Sequence, residues 1–171
     1  MNELMDSNEP PRFIDNGDGT ITDTVTTLMW MKEDSFNILK KFLSYGDAVK
    51  FLNKINTENY CGHGDWRFPD KHEAYSLFIK ESAIRDKYDM DIHIHPVFSE
   101  RGGFNTWTCH TRGKMTAYSF SFASGTGGHK EWEDNINDSV RFVRGVLDKS
   151  RYKITPVPQA KDMITKGGGW R

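Results

Sequence analysis

The amino-acid sequence predicts an α+β domain of small antiparallel sheets, two helices and long loops. Three observations carry this: an Asn-Gly and Asp-Gly turn between β-favouring residues near the start, two capped amphipathic segments in the middle, and alternating aromatics towards the end. Three segments rich in large amphipathic side chains punctuate the same span. They are Leu28-Met29-Trp30, Asp65-Trp66-Arg67-Phe68-Pro69 and Val140-Arg141-Phe142-Val143-Arg144-Gly145.

Residues 1–11 read as a flexible leader ending in Pro10-Pro11. Arg12-Phe13-Ile14 and Thr20-Ile21-Thr22-Asp23 then flank the turn Asp15-Asn16-Gly17-Asp18-Gly19, which is a hairpin signal, and a third strand follows over 28–31. The turn is no calcium loop, because Gly17 and Gly19 stand where oxygen-bearing side chains are needed. Tyr45, Val49, Phe51, Leu52 and Ile55 recur at helical spacing behind Ser44, so residues 45–56 form an amphipathic helix. A second helix starts after Pro69, with Asp70 and Glu73 as a capping pair and Ala74, Leu77 and Phe78 as its apolar stripe. Residues 86–103 read as a long irregular crossing. Strands are expected at 106–109 and 115–122, a loop at 124–128, and a closing strand through Val140, Phe142 and Val143. After about Asp148 the chain has too few apolar residues for a core of its own, so 148–171 is a tail that is either a flexible extension or a docking segment.

The 171 residues fit one domain, 12–147, and a hydrophobic content of 36% with 13% aromatic makes the aromatics carry much of the packing. With 23 basic and 24 acidic residues and no run of one sign, nucleic acid is not signalled as a partner. No stretch has the length of a membrane span, and the acidic, polar N-terminus has no secretory pattern, so the expected location is cytoplasmic. Reduced thiols are the default there for Cys61 and Cys109, a single disulfide being the alternative.

Taken in order, residues 12–23, Leu28-Met29-Trp30, Gly64 to Pro69, Trp107-Thr108 and Val140 to Gly145 resemble the Lcl C-terminal domain family of bacterial and phage proteins, over about 12–146. The resemblance implies a C-type-lectin-like fold related to the formylglycine-generating-enzyme branch, with paired terminal strands and loops that display a binding surface. It implies recognition of a protein or glycan in place of catalysis, and its members are often exported. Phe142 stands where many relatives carry a cysteine, and Trp107-Thr108-Cys109-His110-Thr111 replaces a serine-rich segment.

Candidate binding residues lie between His110 and Asn137: His110, Arg112, Lys114, Tyr118, His129, Lys130, Trp132 and Asn135, a mixture of aromatic area and directional donors typical of recognition surfaces. Trp30, Trp66, Arg67, Trp107, Arg141 and Arg144 are assigned to structure, the arginines bonding to acids such as Asp65 or Asp23 or to loop carbonyls. His93 and His95 share one strand face but lack a fixed third ligand, so neither a metal nor any cofactor is expected. No catalytic set stands out. The expected function is therefore non-enzymatic recognition of a protein or glycan. One alternative is an assembly subunit docking a partner through its tail, with Trp170 and Arg171; another is an oxidase of the formylglycine-generating type.

Overall fold

The structure is a computed structural model and describes residues 10–160. Its first sheet grows from the expected hairpin, β1 (Phe13–Asp15) with β2 (Thr20–Asp23), in which Phe13 faces Asp23 and Asp15 faces Ile21. The aspartates of the turn serve its own backbone: Gly17 N donates to Asp15 Oδ1 at 2.9 Å and Thr20 N to Asp18 Oδ1 at 3.0 Å. Gly17 adopts φ 82° and Gly19 φ 95°, the left-handed region that glycine enters without a Cβ penalty. β3 (Met29–Met31) adds to β2, and β9 (Val143–Arg144) adds antiparallel to β3, giving the order β1-β2-β3-β9. The closing strand is thus shorter than its sequence suggests. Residues 139–142 run as buried backbone between neighbours, Trp107 N donating to Ser139 O and Met31 N to Phe142 O.

The helices follow their caps. α2 (Tyr45–Thr57) starts at Ser44, whose side chain accepts from Asp47 N, and buries Tyr45, Ala48, Phe51 and Ile55. α3 (Lys71–Ser76) starts with a reciprocal Asp70–Glu73 capping box and buries Ala74, with Leu77 buried at its end. A short helix not anticipated, α1 (Ser35–Leu39), carries the same device between Asp34 and Asn37.

Two further corrections concern strands. β4 (Ile84–Arg85) and β5 (Asp91–Ile92) form a two-residue ladder, which puts a strand inside the irregular crossing expected over 86–103. The other concerns 124–128: β8 (Thr126–Glu131) begins inside the expected loop and pairs along its whole length with β7 (Thr116–Ser121), which pairs in turn with β6 (Asn105–Arg112). With three α-helices and three antiparallel sheets among the described residues, the fold is α+β.

Strand alternation divides the apolar residues into two cores. Tyr118 and Phe120 of β7 enter one core with Phe13, Ile21, Trp30, Leu77 and Phe98. Ala117 enters the other with Tyr45, Phe51, Trp66, Trp107 and Phe142. The arginines of the motifs tie the chain together. Arg67 forks onto Glu73 at 2.8 Å through two nitrogens and donates to Gly145 O, while Arg144 forks onto Asp65. Arg141 is buried and donates to the carbonyls of Met31 and Lys32, its guanidinium 4.9 Å from the Phe98 ring centre.

Beyond Leu147 the described chain stays on the domain. Asp148 N donates to Thr26 O, Tyr152 and Ile154 pack on the first core, and Val157 is buried. Gly127 N then donates to Pro158 O at 2.9 Å, and Gln159 forms a parallel bridge with Gly127 on the outer edge of β8. Trp170 and Arg171, and most of the leader, lie outside the described residues. Among the described residues no helix is long and apolar enough to cross a membrane.

Candidate functional site

The β6-β7-β8 sheet brings several of the candidate residues to one place. Tyr118 on β7 stands opposite His129 on β8, and their rings meet edge to face with centres 5.7 Å apart. The His110 ring approaches the same tyrosine at 6.2 Å. Arg112 closes β6 one turn away, opposite Thr116, whose hydroxyl lies 3.1 Å from His129 Nδ1. From across the sheet, the start of α3 places Lys71 Nζ 5.6 Å from the centre of the Tyr118 ring, a cation–π approach.

Of these, Lys71, Arg112, Tyr118 and His129 line a cleft of about 410 Å³, together with Gly127, Gly128, Gln159 and Ala160. Among the described residues no carboxylate lines it. The nearby acids are committed elsewhere, Asp70 to the cap of α3 and Glu73 to Arg67. Tyr118 is only 6% exposed, yet its hydroxyl has no hydrogen-bond partner among the described residues. That is a phenolic donor left available at the cleft. The glycine at 127 makes this possible, since a Cβ there would overlap the Tyr118 hydroxyl.

Electrostatics match the lining. Burial lowers the His129 pKa, and Arg112, His110 and Lys71 lower it further. Burial likewise lowers His110, with Lys71 and His72 adding to the effect against the opposing Asp70. Burial pushes the Tyr118 phenol up, so it keeps its proton. The cleft therefore offers two cationic side chains, one imidazole, His129, that gains charge on acidification, and a phenolic donor, with His110 behind Tyr118.

A second depression of about 300 Å³ adjoins the first at Gly127, Gly128, His129 and Ala160 and is lined by Asn105, Ser119, Ser121, Thr126 and Lys130. Lys130 Nζ bonds Asp138 at 2.6 Å and lies 3.7 Å from Asp134. Burial, together with the Asp134 carboxyl, pushes Asp138 up to about 7 against the pull of Lys130.

The remaining candidates do not join the first cleft. Lys114 is exposed in the β6–β7 turn and Asn135 is exposed after β8. Trp132 packs on Tyr45, ring centres 4.5 Å apart, at the margin of the second core. Lys71 and Gln159 were not singled out by the sequence. The Asp70 cap is the signal that could have found Lys71, because it fixes the first residue of α3. Nothing local marks Gln159.

Elsewhere, His93 Nδ1 lies 2.9 Å from Ser82 O and His95 Nδ1 accepts from Val97 N. Among the described residues no group of three or more His, Cys, Asp or Glu gathers to hold a metal ion. Cys61 and Cys109 are free thiols, and burial raises the pKa of each.

A small α+β domain displaying a polar, cation-lined cleft on its last sheet is thus the class that fold and site define. The chain belongs to the Lcl C-terminal domain family, whose model matches residues 19–144. Among curated proteins and among solved structures none matches this chain.

Proposed function

We propose that this chain is a non-enzymatic recognition domain that binds a protein or glycan ligand through an acidic group held in the Lys71–Arg112–Tyr118–His129 cleft. The observation that supports this reading is the convergence of two cations and a tyrosine, whose hydroxyl has no hydrogen-bond partner among the described residues, on a cleft with no carboxylate among the described residues of its lining. Arginine supplies a planar fork for a carboxylate or sulfate, lysine a point charge, and the tyrosine hydroxyl a further donor. The C-type-lectin-like arrangement of displayed loops belongs to the same proposal.

The test is a titration followed by nuclear magnetic resonance, with hexagalacturonate and a hexaglutamate peptide as acidic probes. The expected result is binding of at least one probe that weakens with added salt. Arg112→Ala and Lys71→Ala should each lose it while melting within a few degrees of the parent. Binding retained in both variants would place recognition elsewhere. Affinity should also rise as the pH falls through the imidazole range, because His129 and His110 gain charge that an anion stabilises.

A further inference from the structure

The cleft has a wall that comes from neither the three-stranded sheet nor α3. Residues 147–160 lie beyond the family match, which ends at 144, yet they are fastened to the domain at both ends. Leu147 and Val157 are buried in the first core, and Tyr152 and Ile154 pack against it between them. The strap then crosses the edge of β8, where Pro158 O accepts from Gly127 N and Gln159 bridges Gly127. Pro156 and Pro158 fix φ along this stretch, so the wall is set before any ligand arrives. Its end, Gln159 and Ala160, is exposed and lines the cleft together with the cationic side chains.

Gln159 is an uncharged amide, a donor and an acceptor on one flat group, in a cleft whose other ligand-facing polar atoms come from cations, imidazole and a phenol. A bare anion needs only the cations. An amide wall adds something when the atoms next to the acidic group are themselves hydrogen-bonding, such as the hydroxyls of an acidic sugar. Resting on the function proposed above, we infer that the 147–160 strap is a specificity wall built in cis, with Gln159 selecting acidic ligands that carry hydroxyls beside the charge.

Galacturonate and cyclohexanecarboxylate separate the two contributions, since both present one carboxylate on a six-membered ring and only the first carries hydroxyls. The full chain, titrated with each and followed by nuclear magnetic resonance, should prefer galacturonate about tenfold. Gln159→Ala should weaken galacturonate about five- to tenfold, the loss of a neutral hydrogen-bonded partner, and leave cyclohexanecarboxylate unchanged. Because Gln159 is exposed, the variant should fold and melt as the parent does. Arg112→Ala should weaken both compounds alike. If Gln159→Ala keeps the parent's preference while Arg112→Ala loses both ligands, the wall is not selective and the cleft stands. If the parent binds neither carboxylate, both the cleft and its wall are overturned.

Discussion

At the scale of single residues, the buried charges of this domain are of two kinds. Arg67 and Arg144 meet carboxylates with fork geometry near the surface, and Arg141 is held by backbone carbonyls and an aromatic face. Asp138 differs, because burial and the neighbouring Asp134 carboxyl push its pKa up against the pull of Lys130. Its side chain is fully buried, its second oxygen has no partner among the described residues, and its pKa stands at about 7 against an ordinary 3.8. The folded chain therefore holds a proton that the unfolded chain releases. A raised folded pKa gives stability that is complete below about pH 4 and is lost as the pH rises through 7. Urea midpoints of the parent should fall across that window relative to Asp138→Asn, in which the uncharged amide removes the slope. Parallel midpoints for the two proteins would show that Lys130 holds Asp138 ionised.

At the scale of elements, local signals account for what the sequence revealed. The Ser44 cap with its 3.6-residue apolar period, and the Asp70–Glu73 box, sit within a few residues of the helices they start. α1 escaped notice because five residues are too few to show a period, and β4 and β5 because two residues are too few to alternate. β8 was hidden by its own composition, since Thr126-Gly127-Gly128 reads as a turn. The structure gives Gly127 its reason: the Tyr118 phenol lies over it, where a Cβ would stand. Gly128 has open space at the same position. Gly127→Ala should accordingly destabilise the domain by about 1–3 kcal/mol and displace the Tyr118 ring, as overpacking does. Gly128→Ala should lie within about 0.5 kcal/mol of the parent. Thermal melts of the pair, with the Tyr118 ring resonances, would decide; equal behaviour would mean that the tyrosine has room to move.

At the scale of the whole molecule, the site was legible only where chain neighbours are also spatial neighbours. His110, Arg112, Tyr118 and His129 lie on consecutive antiparallel strands, so one stretch of sequence contained them all. Lys71 lies 39 positions before His110 and Gln159 lies 30 after His129, separations that no local pattern encodes. The strap that brings Gln159 also covers part of the first core. A chain ending at Lys149 would expose surface now under Val157, Tyr152 and Ile154, about 3 kcal/mol of burial, and should melt about 6–12 °C lower in one cooperative transition. An unchanged melting temperature would show that the strap lies on the domain without supporting it. The strap begins, moreover, where the domain begins. Thr24 N donates to Arg12 O, Asp148 N to Thr26 O, and the Thr27 hydroxyl to Val146 O, so entry and exit of the folded span are moored to one four-residue turn. Tension applied between Arg12 and Asp148 would pass from one end of the folded span to the other through that turn.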